Sequence, residues 1–513
     1  MTASREFPPL PTQSQLKKLY PTDLELVNVQ ILFRHGERTP VRARFQTWGL
    51  QPFWPFCKIA RHFTQTVVTY PNENTSTFEY VRRLESVAKN LPYNVPVPAS
   101  GFKSGEHDDL CMLGELTDLG RETGFKLGDR LRWLYVDQLK FLPTMFMDHD
   151  NFYFRSSHVA RSNETLMSLF NGLYPPMYRK GGLLPIIYTR LFPQENAYPN
   201  DENCRRLSEL GYMFSEIAAQ RWNPILADYP SKKLKDVLPD GVAIDGSPRA
   251  SGVFDTWSAC VAHGVALPEG FSDKRVTEEL RAAVMDEWYL GVQQSREYRT
   301  LAVGALVGDF LHRMKLAVTD DHKDHVRKHF FTFPEDTKES KKEKAVKLAL
   351  YGSHDTTIAS VLHALNAFDN LWPPFTTDLR FELFAKSGRL NPDMPDAATK
   401  PPSVLDSASS SESELNLTPI VPAVPKREYF VRLTYNDKVL QLPGCAKAGD
   451  HLAGDKSLCT MAAFENVVNE FLPMNWEKQC RQNLGKQVLD NPVIAKEYAA
   501  IRTYGREMAK VQA

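Results

Sequence analysis

The sequence predicts an α/β fold: a doubly wound, mostly parallel sheet flanked by helices, with a mainly helical cap inserted into it. The prediction rests on three apolar runs, each of which stops at a glycine or arginine and is followed by a loop or a stretch of helical periodicity. Leu26-Val27-Asn28-Val29-Gln30-Ile31-Leu32-Phe33 is rich in β-branched and apolar residues and stops at Gly36, which reads as a buried strand feeding a loop. Phe152-Tyr153-Phe154 ends at Arg155, and Leu166, Leu169, Phe170 and Leu173 follow at helical spacing up to Pro175. Val346, Leu348 and Leu350 alternate up to Gly352-Ser353-His354-Asp355, after which Ile358, Val361, Leu362 and Leu365 repeat as a helix face.

The remaining elements follow from the same rules. Thr117 is a candidate N-cap for a helix running toward Tyr135, with Leu127, Leu131 and Leu134 on one face and glycines 120, 124 and 128 allowing close packing. Residues 177–340 are mostly helical in pattern, including Thr277 to Leu316, and are expected to form the cap. The core is thus divided into 1–176, 341–390 and 428–513, and Tyr429 to Leu442, turning at Asn436-Asp437, is expected to be a hairpin. Residues 391–427 are Pro/Ser-rich and poor in apolar side chains, which predicts a disordered surface loop.

At 513 residues the chain exceeds the size that one hydrophobic core serves well. Basic and acidic residues balance at 62 each, so there is no general field to draw nucleic acid, and no apolar run is long enough for a transmembrane segment. The first twenty residues carry neither a signal-peptide core nor transit-peptide character, which favours a cytoplasmic location. Seven dispersed cysteines without a Cys-x-x-Cys pair are consistent with reduced thiols, and the sequons at Asn74, Asn163 and Asn416 carry little weight in that compartment.

Chemistry concentrates at the strand ends, where doubly wound sheets bind ligands. Arg34-His35-Gly36-Glu37-Arg38-Thr39-Pro40 places two guanidinium forks around a histidine, a set suited to a phosphate group. Its five fixed positions would arise by chance in roughly 10⁻⁴ of chains this long. A neutral imidazole is a capable covalent nucleophile, which gives that role to His35. Arg155 is the candidate third cation, although arginines at strand ends are commonly structural. Asp355, following His354, is the candidate acid and base if an apolar pocket keeps its proton on at mildly acid pH. The Asp320–His325 run holds metal-ligand residue types but reads as a solvated loop, so no metal and no cofactor is expected. Dinucleotide, P-loop, zincin and nucleophile-elbow motifs are all missing.

These residues resemble the histidine acid phosphatases of the phosphoglycerate-mutase-like superfamily, over most of the chain. Arg34 to Pro40 is similar to the family's nucleophile signature, Leu116-Thr117 with Gly120 and Leu131-Arg132 to the helix after it, Arg155-Ser156-Ser157 with Arg161 to its Arg-Ser-Thr segment, and His354-Asp355 to its second histidine and proton donor. The resemblance implies a phosphohistidine at His35, phosphate held by Arg34, Arg38, Arg155 and His354, protonation by Asp355, and no metal. Arg161 is either a support for that site or an ordinary helix-face arginine.

Leu350 to Asp355, Ala367 to Phe375 and Pro443-Gly444-Cys445 are most like the lysophosphatidic-acid phosphatase branch. A small phosphomonoester, including a lysophospholipid, is therefore the expected ligand. Glu37 departs from that branch, and a carboxylate beside the pocket would repel polyanions, so monophosphates are favoured over phytate and other inositol phosphates. A mutase would have to exclude water. A catalytically dead scaffold would be expected to lack one of these groups, and the oligomeric state is left open.

Overall fold

Eleven residues from Leu24 to Arg34 form the first strand, β1, and alternation along it decides the layering. Val29, Ile31 and Phe33 point into one core and Leu32 into another, so this strand is covered on both faces. The computed structural model describes residues 3–69, 74–82, 84, 109–318, 344–386 and 427–512. The predicted loop at 391–427, apart from its last residue, and the Asp320–His325 run lie outside the described residues.

The further strands are β2 (His62–Thr69), β3 (Asn74–Val81), β4 (Phe152–Ser156), β5 (Ile187–Tyr188), β6 (Leu348–Ser353), β7 (Asp378–Lys386), β8 (Tyr429–Tyr435), β9 (Lys438–Val439), β10 (His451–Leu452) and β11 (Asp455–Thr460). The main sheet runs β10-β11-β8-β7-β1-β6-β4-β5, with β9 on β8. Its β1, β6, β4 and β5 are parallel, as the strand-to-helix alternation predicts. Strand β7 is antiparallel to both β1 and β8, which leaves β8 pointing the same way as β1. The hairpin β8–β9 turns at Asn436-Asp437 with both residues at positive φ, the geometry that this residue pair favours.

One face of the sheet is covered by helices Asp118–Leu131 and Ala160–Leu173, through Leu127, Leu131, Leu166, Leu169 and Phe170. The other face carries Ala305–Val318, Asp355–Ala364 and Met461–Asn469, packed through Phe310, Val361 and Phe464. Thr117 caps its helix as expected, accepting from the Gly120 amide.

Glycine at 120 is required for a steric reason. A Cβ there would collide with the backbone of Glu37, and one on Gly36 would collide with the Gly120 carbonyl. The loop bearing His35 thus lies directly on the start of this helix. Gly120→Ala is expected to destabilise the fold by about 1–3 kcal/mol, the scale of overpacking, and to lower activity with it. Urea unfolding and steady-state rates check both.

Within residues 177–340, expected to be cap alone, β5 joins the sheet and Ala305–Val318 lies on it. A separate apolar core joins Leu226, Val253, Phe254, Leu280 and Val284 of the helical segment to Phe45, Leu50 and Trp54. Residues 45–54 therefore pack with the cap helices, which their sequence did not signal.

The cysteines, whose spacing left their pairing open, meet in three pairs. Cys57–Cys111, Cys204–Cys480 and Cys445–Cys459 are disulfide-bonded, and Cys260 is a buried free thiol. Linear spacing hid these pairs because their partners meet only through tertiary structure, the second across 276 residues.

At the N-terminus, Phe375 donates its amide to the Ala3 carbonyl at 2.8 Å, and Arg5 donates back to the Phe375 carbonyl at 3.2 Å. The Arg5 side chain is buried against Asp378 and also reaches Asp437.

Candidate active site

His35 follows β1 directly and is held by its backbone. Its amide donates to the Ser353 carbonyl at 3.1 Å, while its own carbonyl accepts from Thr376 at 3.1 Å. The next amide, of Gly36, donates to Thr165 Oγ1 at 3.0 Å. The ring is fixed as well: its Nδ1 lies 2.9 Å from the Gly36 carbonyl, which can only accept, so Nδ1 carries the proton and Nε2 keeps a lone pair. Burial, followed by the positive field of Arg161, Arg34 and Arg38, pushes this histidine well below the usual imidazole range. It is therefore neutral in mild acid.

A cavity of about 1240 Å³ opens above it, lined by Arg34, His35, Arg38, Arg161, His354 and Asp355 among others. Arg34 stacks over Phe375, 4.0 Å from the ring centroid, and donates to the Pro373 carbonyl at 2.6 Å. The rings of His35 and His354 lie edge to face at 5.5 Å, and His354 Nε2 is 3.1 Å from Ser157 Oγ. Burial and then Arg161 lower His354 to about 3. These two neutral histidines and Arg34, Arg38 and Arg161 thus share one space, which Arg42, Arg44 and Arg249 also line.

Arg155 is not among them. Its side chain is 1% exposed and is held by Glu195, Asn196 and Asp309. Standing inside β4 rather than beyond its end, it points into the protein and is a structural ion-pair partner. The third arginine whose field reaches His35 is Arg161, in the first turn of helix Ala160–Leu173. Burial and Arg38 bring it down to about 9, which leaves it charged in acid. Arg161→Ala is expected to reduce kcat/KM about 10²-fold or more, by analogy with loss of one transition-state donor. Arg155→Ala should act mainly on stability, so thermal melts and kinetics on the two variants separate the roles.

Asp355 also differs from expectation. Burial alone would raise it, but Arg34, at 2.7 Å, with Arg38 and His354 outweighs burial and holds the carboxyl below its ordinary value. It opens helix Asp355–Ala364, where a carboxylate suits the helix dipole, and it accepts from Trp372 Nε1 at 3.1 Å. In the free protein it is ionised rather than protonated.

Glu37 faces away from the cavity. It is fully buried, bonded to Thr123, and pushed up by burial, so it cannot repel a ligand as the sequence suggested. A second carboxylate that meets the cavity arginines, besides Asp355, is Asp255, 2.8 Å from Arg38 and 3.8 Å from Arg44. It also accepts from the Val41 amide at 3.0 Å. No local motif marks it, because it belongs to helix Ala250–His263, far away in sequence.

A histidine with a free Nε2, set among arginines at the carboxyl ends of parallel strands, defines a phosphate-handling α/β enzyme. The chain belongs to the histidine phosphatase superfamily (branch 2), whose match spans residues 25–436. A probable acid phosphatase of Schizosaccharomyces pombe is 32% identical over 469 residues, covering 90% of this chain and 95% of that one. Lysophosphatidic acid phosphatase type 6 of Bos taurus is 30% identical over 371 residues, covering 70% and 74%. Among solved structures, the apo form of Hafnia alvei phytase aligns with 90% of this chain and 99% of its own at 14% identity, with a TM-score of 0.49.

Proposed function

We propose that this histidine acid phosphatase hydrolyses phosphate monoesters through a phosphohistidine on His35, with Asp355 as the proton donor. The observation that carries this reading is the fixed tautomer of His35, whose Nε2 lone pair faces a cavity shared with Arg34, Arg38 and Arg161. Nε2 attacks phosphorus while the bond to the alcohol oxygen breaks and that oxygen takes a proton. Water then attacks the phosphorus, the P–N bond breaks, and Asp355 accepts the water's proton. The arginines and His354 hold the equatorial oxygens in both steps.

The ionised state of Asp355 fits this scheme once charge is counted. A bound phosphate cancels the field of Arg34 and Arg38, the groups that lower Asp355, so its proton affinity rises as substrate enters. In mild acid it takes up a proton in the complex, while His35 remains neutral. The rate should therefore climb toward acid pH with no early loss of the nucleophile.

Relatives named lysophosphatidic acid phosphatase support a lysophospholipid as one substrate. Asp255, Asp201 and Glu202 share the cavity with Arg42, Arg44 and Arg249, so its walls are not uniformly cationic, which favours monophosphates over inositol polyphosphates. The cap helices supply much of this wall and are the natural source of substrate choice. Three disulfides support an oxidising compartment over the cytoplasm. The test is phosphate release at mildly acid pH, with chelator, from an aryl phosphate and from a lysophosphatidate. Release from both supports the reading, release from the aryl ester alone removes the lipid assignment, and release from neither removes the enzyme assignment.

A further inference from the structure

Next to the phosphate cavity lies a second groove of about 830 Å³, and the two share Asp201, Arg249, Trp288 and Tyr298 as lining residues. The character of the second groove is acidic. Asp201, Glu216, Asp245 and Glu287 line it, and Arg249 is the cation among its lining residues. The neighbouring Arg502 reaches Glu216 only at 3.9 Å, and Tyr212 donates to Glu216 at 3.1 Å. Asn223 donates to Asp245 at 2.8 Å.

Glu287 distinguishes this groove from an ordinary acidic surface. It comes from helix Lys274–Gln294, and its side chain is only 6% exposed. One carboxylate oxygen has Ser251 at 3.4 Å and Arg249 at 3.5 Å. The other, Oε2, is buried and has no hydrogen-bond partner. A buried carboxylate oxygen without a donor is costly and calls for one. Arg249 does not supply it: its Nε is committed to the Ile244 carbonyl at 3.0 Å, and its side chain is 57% exposed. Trp288, on the same helix, is 46% exposed and lines both spaces.

We propose that this groove receives a protonated amine carried by the leaving group, so that phosphate monoesters of amino alcohols are preferred substrates. The inference rests on the phosphatase reading and names a substrate class for it. An ammonium group brings the donors that Glu287 Oε2 lacks and the charge that the four carboxylates favour, and an indole face adds cation–π attraction. Burial, opposed by Arg249, lifts Glu287 to about 7, the behaviour of a carboxylate short of cationic partners, so the amine preference should strengthen as pH rises from acid toward neutral and Glu287 ionises. A tail without a donor would leave Oε2 unsatisfied, and a hydroxyl would bring a single uncharged donor.

The experiment compares ω-aminoalkyl phosphates of increasing chain length with the matching ω-hydroxyalkyl phosphates, in wild type and in Glu287→Gln, with an aryl phosphate alongside. The expected result is a kcat/KM ratio of about tenfold in favour of the amine at the chain length that spans the two spaces, the scale of a charge-assisted contact. In Glu287→Gln the ratio should fall toward one, and being a ratio it does not depend on how active the variant is. In wild type alone, ω-aminoalkyl phosphonates should inhibit about tenfold more tightly than their hydroxyl counterparts. Ratios near one at every length, or a ratio kept in Glu287→Gln, overturn the amine subsite while turnover of the aryl phosphate leaves the phosphatase reading standing. Failure on all three substrates overturns both.

Discussion

His35→Ala is expected to reduce phosphate release by about 10⁴-fold or more, the scale seen when a covalent nucleophile is removed. The loss should be chemical rather than structural. The bonds that seat this residue in the fold come from its backbone, to Ser353 and Thr376, and they survive the substitution. Arg34, Arg38 and Arg161 also remain, so inorganic phosphate should still inhibit within a few-fold of wild type, as expected where binding and chemistry rest on different groups. Alkaline quenching, which preserves a P–N bond, after mixing with radiolabelled substrate distinguishes this outcome from a general-base role for the histidine. Wild type should carry acid-labile label and His35→Ala none, and label persisting in the variant would place the nucleophile elsewhere.

The largest stability effect is expected from opening Cys204–Cys480. This bridge closes 276 residues, so its removal frees more of the unfolded chain than loss of either of the others. Cys204 immediately precedes helix Arg205–Asp228, and Arg206 next to it donates to the Cys480 carbonyl at 2.9 Å and to the Lys486 carbonyl at 2.6 Å. Replacing both cysteines by serine should cost about 3–5 kcal/mol and lower the melting temperature by roughly 5 °C. A reductant should lower the melting temperature of wild type by more than that of the double variant, which keeps only the two shorter bridges. Equal melting with and without reductant would contradict this bridge.

The layers of the fold were legible because each rests on local pattern. The alternation of β1, the strand-end glycines and the Thr117 cap are decided within a few residues, and the structure keeps them. What sequence reasoning misjudged depends on partners brought from a distance. Arg155 and Arg161 sit in one short segment, and only the buried Glu195 and Asp309 decide which of them is structural. The state of Asp355 is set by Arg34 across the sheet, and that of Glu37 by the helix packed over it. Asp255 carries no motif at all, and the disulfides join segments that no spacing rule links. Local pattern brought His35 to the cavity, while long-range electrostatics determined its neighbours' charge.

The exchange of backbone bonds between residues 3–5 and Phe375 has a practical side. Phe375 is the ring beneath Arg34, so the first residues brace the floor on which this cavity arginine rests. Trimming or fusing at this end would therefore reach the cavity through two backbone hydrogen bonds and one aromatic ring. Recombinant versions differing only in their leading residues would differ in turnover, and an N-terminal affinity tag would become an unintended effector of the enzyme.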